Sequence, residues 1–558
     1  MSRAQLADWG PPGLAVVLAA AAALWLAPFG LALSPDGAHY TNVALRLAYD
    51  GFAFVDPKYP VGYPLLLQLV MPFEPFPMDA AVWLSVLCFG VTLCGVGNLA
   101  RRLTSQSAWA FAAVLACAFF IPIWNAHLLA LSEAPFTSLL ILHCVCVARH
   151  LELARNDSKA GLGWFALAAV CVGMSAVVRV MGYALIAAFS AYAFAWVLRG
   201  THLARTRLKL LAAHSLSYLP ALAIAIANAA AGSAVHGDRP PTRAAETFTV
   251  NVERVIATLG TDLGAALVAT IAASLVAFFV HLQRQGTARG STSTASLRAA
   301  SLYLYLLTIV AVYVPVLIAG ASLTKISPIN TRFLMPIYPL LILLALGVAR
   351  FAPTPLIKIG GFLSAVSFAH VVGLGLPELA RRHAEFVVVA EQPRTLHLAT
   401  GYDRSPSSRA VRDFIGELAS ATPRTTLSAL FPMPRGGQHA RLARALLFRS
   451  SSVPETAAPV DFEIEGADSF VMALGSNGST LRYVDLAMTG QDARTPQTVL
   501  EAVLSVMVKY KRPEHWLLSA SPGDPLQGTG ELLSGPLVIL EQRVVGGYNA
   551  YLFAPRSR

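Results

Sequence analysis

Long, uninterrupted apolar runs dominate the first two thirds of the chain and set its predicted architecture. About 20 residues of α-helix cross the hydrocarbon core of a bilayer, and about eleven runs reach or approach that length. The runs do not alternate with polar residues, which indicates membrane helices and not the strands of a barrel. The predicted spans lie at 14–33, 80–100, 108–124, 128–148, 162–178, 180–198, 210–231, 263–280, 299–321, 333–348 and 356–376.

From Pro377 onward the apolar runs become short, and helical and strand periods alternate. The runs with strand character lie at 426–431, 470–474, 515–520, 538–545 and 548–553. The last two flank Gly546-Gly547, which predicts a β-hairpin. We therefore predict a mostly α, polytopic membrane domain at 1–376, whose first outer loop is 34–79, and a C-terminal soluble α/β domain at 377–558. About 180 residues are enough for a separate core.

Charge is scarce and unevenly placed. Only 13% of the residues are charged, about half the share found in soluble proteins. The net charge is +11, and with a cytoplasmic N-terminus the inner loops hold fifteen Lys and Arg against three acids. This positive-inside pattern predicts a multi-pass protein of the bacterial inner membrane with a periplasmic C-terminal domain. No basic patch remains for a nucleic acid.

The first outer loop has the most organised sequence outside the spans. Ser34 suits a helix N-cap and Pro35 the first helical position, while Tyr40 and Leu47 lie on one face of the predicted helix. Asp36 then falls in the first turn, at the membrane surface. The helix dipole alone favours an acid there by about 0.3–1 kcal/mol, so a purely structural role for Asp36 stays open.

Five motifs, each placed at the outer end of a predicted span, give a more specific indication. They are Ser34-Pro35-Asp36 with His39-Tyr40, Lys58-Tyr59-Pro60-Val61-Gly62-Tyr63-Pro64-Leu65-Leu66, Leu131-Ser132-Glu133-Ala134-Pro135-Phe136, Val178-Arg179-Val180-Met181-Gly182-Tyr183, and Thr331-Arg332-Phe333-Leu334-Met335-Pro336-Ile337-Tyr338-Pro339. In this order, over roughly 10–376, they resemble the GT-C superfamily of membrane glycosyltransferases, including its protein O-mannosyltransferase and aminoarabinose-transferase branch. Several branches carry a second acid directly after the first, where this chain has Gly37.

The resemblance implies transfer of a sugar from a polyprenyl-phosphate donor to a lipid, glycan or protein acceptor on the periplasmic face. Asp36 is the candidate general base, and a single displacement with no second carboxylate nucleophile would invert the anomeric centre. The candidate donor-phosphate ligands are Lys325, Arg332, Arg179 and Lys58. The candidate cavity-lining residues are His39, Tyr40, Tyr59, Tyr63 and Glu133.

Several alternatives stay open at this point. Glu133 and Arg179 fit a structural ion pair as well as a functional site. His127, beside Asn125 in a short outer turn, is expected to be a solvated histidine, with a place in the cavity lining as the alternative. No metal-ligand spacing occurs, so Mg²⁺ or Mn²⁺ would have to be held by Asp36 and water with few other ligands. A transporter or flippase, or a non-enzymatic membrane scaffold with a periplasmic binding domain, is the alternative function.

Overall fold

The computed structural model describes most of the helical part of the chain and the strands of its C-terminal part. The described residues are 3–26, 60–73, 77–128, 131–153, 158–199, 204–230, 244–287, 294–323, 329–352, 354–391, 426–430, 469–473, 480–485, 515–519, 537–545 and 548–555, with the single positions 31, 37, 40, 43, 44, 47, 414 and 504.

Helices make up nearly all of the described residues before 392. In chain order they are α1 (Arg3–Leu26), α2 (Gly62–Val70), α3 (Pro77–Thr104), α4 (Ser107–Phe119), α5 (Ile121–Leu128), α6 (Glu133–Leu153), α7 (Ser158–Val178), α8 (Gly182–Arg199), α9 (Ala204–Ser215), α10 (Leu219–Ala230), α11 (Ala244–Thr287), α12 (Thr294–Leu323), α13 (Thr331–Leu334), α14 (Tyr338–Ala345), α15 (Gly347–Phe351) and α16 (Thr354–Glu391), with a 3-10 turn at Met335–Ile337 between α13 and α14.

Many of these helices are long and apolar enough to cross a membrane. Seven segments meet that measure by length and composition: Ala80–Thr104, Glu133–Leu153, Lys159–Val178, Thr206–Ile226, Phe248–Arg284, Ser296–Leu323 and Thr331–Phe351. An eighth is the pair α4 and α5, and Gly10–Leu26 and Gly182–Leu198 are shorter apolar helices. The chain is therefore a mostly helical, multi-pass membrane protein. The count of eleven spans stays a prediction.

Three helices differ from their predicted form. The predicted span 108–124 bends by 63° between α4 and α5, directly before Pro122, which cannot continue the hydrogen-bond ladder. Helix α11 begins at Ala244, well before the predicted span 263–280, and it is kinked at Gly264. Helix α16 runs through Pro377 to Glu391, beyond the predicted domain boundary at 376.

The helix predicted in the first outer loop is confirmed at the positions that the structure describes there. The helical positions are Gly37, Tyr40, Val43, Ala44 and Leu47. Tyr40, Val43, Ala44 and Leu47 are all buried, which is the spacing of one apolar helix face. The amide of Gln68 on α2 donates to the carbonyl oxygen of Ala44 at 2.9 Å.

The C-terminal part contains a mixed six-stranded sheet. Its strands are β1 (Thr426–Leu430), β2 (Ser469–Ala473), β3 (Thr480–Asp485), β4 (His515–Ser519), β5 (Leu537–Val545) and β6 (Tyr548–Pro555), in the order β2-β3-β1-β4-β6-β5. Strand β1 is parallel to both β3 and β4, and the other pairs are antiparallel. The predicted hairpin is confirmed, since β5 pairs with β6 as far as Val545 opposite Tyr548. Strand β3 was not predicted.

The chain forms two compact units. The first comprises Met1–Trp25, Val55–Leu66 and Trp83–His383, and the second comprises Leu26–Phe54, Leu67–Val82 and Ala384–Arg558. In the first unit, buried polar side chains join the helices. His143 on α6 bonds the carbonyl oxygen of Ala168 on α7 at 2.8 Å and the hydroxyl of Tyr305 on α12. Such bonds hold helices together where lipid supplies little hydrophobic drive for their association.

A close backbone approach fixes the start of α2 against the end of α7. A Cβ added at Gly62 would lie 2.6 Å from the carbonyl oxygen of Val177 and 2.7 Å from the Cα of Val178. Only glycine permits this contact, because both obstructing atoms belong to the backbone. Gly62, in the proline- and tyrosine-rich stretch, therefore packs against the last two residues of α7, which directly precede Arg179.

Replacing this glycine tests the approach. We expect Gly62→Ala to destabilise the protein by about 1–3 kcal/mol, because α2 and α7 must separate to admit the methyl group. The melting temperature of the detergent-solubilised protein measures the effect. Gly163→Ala on α7 is the control, since nothing lies within 4 Å of its added Cβ. Equal melting temperatures for the two variants would contradict the packing.

Candidate functional site

A buried carboxylate lies between two arginines at one end of the helical unit. The side chain of Glu133 is 0% exposed, and its Oε1 is 2.5 Å from Nη1 of Arg179. Nε of Arg332 donates to the same oxygen. The other oxygen, Oε2, has no hydrogen-bond partner among the described residues. We call Glu133, Arg179 and Arg332 the Glu133 cluster.

Each member of the Glu133 cluster lies at a helix end. Glu133 is the first residue of α6, where the helix dipole stabilises a negative charge. Arg179 occupies the break between α7 and α8, which Gly182 closes by donating its N–H to the Arg179 carbonyl oxygen at 2.8 Å. Arg332 lies in α13, where Asn330 caps the helix by accepting from the Arg332 N–H at 3.1 Å. Three of the five motifs therefore supply the cluster.

Arg179 is more deeply buried than Arg332. Arg179 donates to the hydroxyl of Ser132 at 3.4 Å, and its guanidinium lies 5.6 Å from the centre of the Phe333 ring, a cation–π distance. Tyr313 in turn donates to the carbonyl oxygen of Phe333 at 2.9 Å. The side chain of Arg179 is 10% exposed and that of Arg332 is 30% exposed. Arg332 is therefore the more accessible cation of the two.

The charges of the Glu133 cluster do not cancel. Two guanidinium groups face one carboxylate, so the three side chains together carry +1. A buried carboxylate without partners is costly, and the two arginines offset that cost. Guanidinium groups also match the geometry of phosphate oxygens, so a cluster with this balance can bind an anion beside Arg332.

A second acid, Asp262, supports the segment that carries Arg332. The hydroxyl of Thr331 donates to Oδ1 of Asp262 at 3.1 Å, and the hydroxyl of Tyr338 donates to Oδ2. The helix kinks just afterwards at Gly264, whose φ is 67°, a value that favours glycine. The sequence reasoning missed Asp262. Its signal was an acid at the boundary between a polar segment and an apolar run, two residues before a glycine.

Helix α5 corrects the prediction for His127. This histidine is 2% exposed and not a solvated turn residue. Its carbonyl oxygen accepts from the Ser85 hydroxyl at 2.7 Å, and its ring lies 5.0 Å from the ring of Phe89. The apolar helix α3 therefore buries a residue that a short polar turn was expected to expose.

An ion-paired group joins α16 to α5. Arg381 and Arg382 both donate to the carboxylate of Glu378, at 2.8 Å and 2.7 Å. These hydrogen bonds, first from Arg381 and then from Arg382, lower the pKa of Glu378 to about 2. Arg382 also donates to the side-chain oxygen of Asn125 at 2.7 Å. The hydrogen bond from Arg382 to the neutral amide of Asn125 thus connects α16 to α5, the helix that also contains His127.

The other predicted site residues divide into two sets. Tyr40 and Tyr63 are buried, at 5% and 2% exposure, and Tyr63 lies on α2 next to the close approach that precedes Arg179. The residues Asp36, His39, Lys58, Tyr59 and Lys325 lie outside the described residues, so their assignments stay predictions. Within the described part, no three His, Cys, Asp or Glu side chains lie together as metal ligands. A Mg²⁺ or Mn²⁺ ion at Asp36 likewise stays a prediction.

Comparison with known proteins gives similarity in structure only. No family model matches the sequence, and no curated protein matches it. The chain is similar to crystal structures of ArnT from Cupriavidus metallidurans, in the apo state with 13% identity and a TM-score of 0.49, and bound to undecaprenyl phosphate with 12% identity and a TM-score of 0.47. In both cases 98% of each chain is covered.

A third similar structure is that of the oligosaccharyltransferase of Archaeoglobus fulgidus in complex with Zn and sulfate. Its identity is 12% and its TM-score 0.44, and the match covers 78% of this chain and 61% of that one.

The Glu133 cluster predicts a large effect of a small substitution. Glu133→Gln leaves two arginines without their buried counter-charge, so we expect a loss of about 3–5 kcal/mol of stability. The melting temperature in detergent measures it. Glu253→Gln on α11 is the matched control, because Glu253 is exposed. If both variants have the melting temperature of the wild type, the carboxylate does not hold the three helix ends together.

Proposed function

We propose that the protein is a membrane glycosyltransferase that uses a polyprenyl-phosphate-linked sugar as donor. The acceptor, a lipid, glycan or protein, reacts at the periplasmic face of the bacterial inner membrane. The observation that carries the proposal is the Glu133 cluster, in which three separate motifs of the sequence bring two arginines and one acid together. Arg332 and Glu133 are 199 residues apart in the chain, and both belong to motifs that are predicted to lie at the outer ends of spans.

The proposed reaction is a single displacement. The acceptor hydroxyl attacks the anomeric carbon while Asp36 takes its proton as general base. The bond from that carbon to the phosphate oxygen breaks, and its electron pair leaves with the polyprenyl phosphate. One displacement inverts the configuration at the anomeric carbon, whereas a retained configuration needs a second carboxylate as nucleophile.

The charge of the Glu133 cluster suits the leaving group. The donor is a phosphodiester with one negative charge, and the departing phosphate monoester gains a further charge as the bond breaks. A fixed cation stabilises this developing charge more than it stabilises the donor. In this proposal Arg332 binds the phosphate together with Arg179, Lys325 and Lys58. Glu133 keeps the net positive charge of the cluster small, so that the polyprenyl phosphate product is released.

The remaining predicted residues are assigned to the proposed sugar-binding cavity. His39, Tyr40, Tyr59 and Tyr63 line this cavity in the proposal, and their hydrogen bonds and rings orient the sugar. Asp262 is a positioning residue, since it holds the hydroxyls of Thr331 and Tyr338 on either side of the Arg332 segment. No step of the reaction is assigned to a divalent ion.

The base assignment has a direct test. We expect Asp36→Asn to lower turnover by about 10²–10⁴-fold, the usual contribution of a general base. The measurement is loss of the lipid-linked sugar from a small panel of polyprenyl-phosphate sugars, with cell-envelope extract as acceptor and with or without EDTA. Equal turnover by the two proteins would remove Asp36 from the mechanism. No turnover by the wild type with any donor would favour the scaffold alternative.

The phosphate assignment has a separate test. We expect Arg332→Gln to lower kcat/KM for the donor by about 10²-fold, mainly through kcat, because the cation acts on charge that develops in the transition state. Arg332→Lys keeps the charge and should recover part of the loss. Arg254→Gln, an exposed arginine on α11, is the control. A change in KM alone would mean that Arg332 binds the donor but does not stabilise the leaving group.

A further inference from the structure

A second polar site lies at the opposite end of α6 from Glu133. Glu152 follows Glu133 by about five turns, or about 28 Å along the helix, which is close to the thickness of a hydrocarbon core. There a cavity of about 530 Å³ lies among α3, α6 and α12. Its polar lining includes Asn98, Arg101, Arg102, Arg149, Glu152 and Arg298.

The arginines of this cavity outnumber its acids. Arg102 pairs with Oε1 of Glu152, and Nη1 of Arg149 lies 3.3 Å from Oε2 of the same carboxylate. Nε of Arg102 donates to the side-chain oxygen of Asn98 at 2.6 Å. The carboxylate of Glu152 therefore pairs with two arginines. With Arg101 and Arg298 included, the lining carries a net charge of +3.

Arg298 contributes a buried hydrogen-bond donor to the lining of the cavity. Nε of Arg298 has no hydrogen-bond partner among the described residues, and a buried donor left unpaired is destabilising. The positive charges also oppose each other, since both Arg149 and Arg101 repel Arg102. An anion in the cavity would satisfy the Arg298 donor and reduce this repulsion.

We propose that this cavity is a binding site for a phosphate group, separate from the donor site. Several converging guanidinium groups fit phosphate oxygens better than they fit a halide or an isolated carboxylate. The cavity lies at a membrane helix end on the predicted cytoplasmic side, where anionic lipids gather and basic pockets between helices bind their headgroups. The phosphate is that of an anionic phospholipid or that of a soluble phosphate ester.

Binding to delipidated protein in detergent tests the site without any sugar donor. Native mass spectrometry and thermal shift would compare phosphatidylglycerol, phosphatidylcholine and inorganic phosphate as probes. We expect wild type to bind phosphatidylglycerol or phosphate, and Arg298→Gln to weaken that binding about tenfold, as expected for loss of a charge-assisted hydrogen bond. The control is Arg207→Gln, an exposed arginine of α9 that does not line the cavity, which should bind like wild type.

A variant of opposite sign separates binding from a general effect on folding. Glu152→Gln removes the competing carboxylate, so the anion should bind more tightly while the anion-free protein melts at a lower temperature. Selective binding of phosphatidylglycerol identifies a lipid headgroup, and competition by inorganic phosphate identifies a soluble ester. Binding that is the same in wild type, Arg298→Gln and Glu152→Gln would overturn the site. The result does not depend on glycosyl transfer, so the two proposals fail independently.

Discussion

The burial of the Glu133 carboxylate constrains the helical unit more than any other interaction described. A charge at 0% exposure is tolerated only when its partners are fixed in place, because an unpaired buried charge is far more costly than a hydrogen bond. The partners come from the break between α7 and α8 and from α13, so the position of each helix end depends on the other two. The close approach of Gly62 to Val177 adds the start of α2 to the same arrangement.

The sequence predicts the individual helices, breaks and strands better than it predicts the contacts between them. The break at Arg179, the helix in the first outer loop and the hairpin across Gly546-Gly547 follow from local signals, namely proline and glycine positions and apolar periodicity. A pair of Glu133 and Arg179 is among the predictions, because both motifs are expected at the outer ends of spans. That Arg332 binds the same oxygen could not be predicted, since no local pattern relates residues 199 positions apart.

The failures have a common physical origin in tertiary packing. The polar residues before Asp262 lower the hydropathy of their segment, yet α11 already begins at Ala244 and buries Asn251 and Val255 before its kink at Gly264. His127 looked solvated beside polar neighbours, but α3 covers it. Strand β3 contains too many polar residues to be predicted as a strand from its apolar pattern. Its strand conformation depends on its pairing with β1 and β2. In each case a neighbouring element outweighs local propensity.

The two ends of α6 differ in a way that matches different tasks. At the Glu133 end two arginines face one acid, and this small positive excess suits the proposed role, in which a phosphate is held while it gains charge and is then released. At the Glu152 end four arginines face one acid around a cavity, a balance that suits an anion that stays bound. Since α6 is a single continuous helix, one element carries both groups, with Glu133 at its first residue and Glu152 in its last turn.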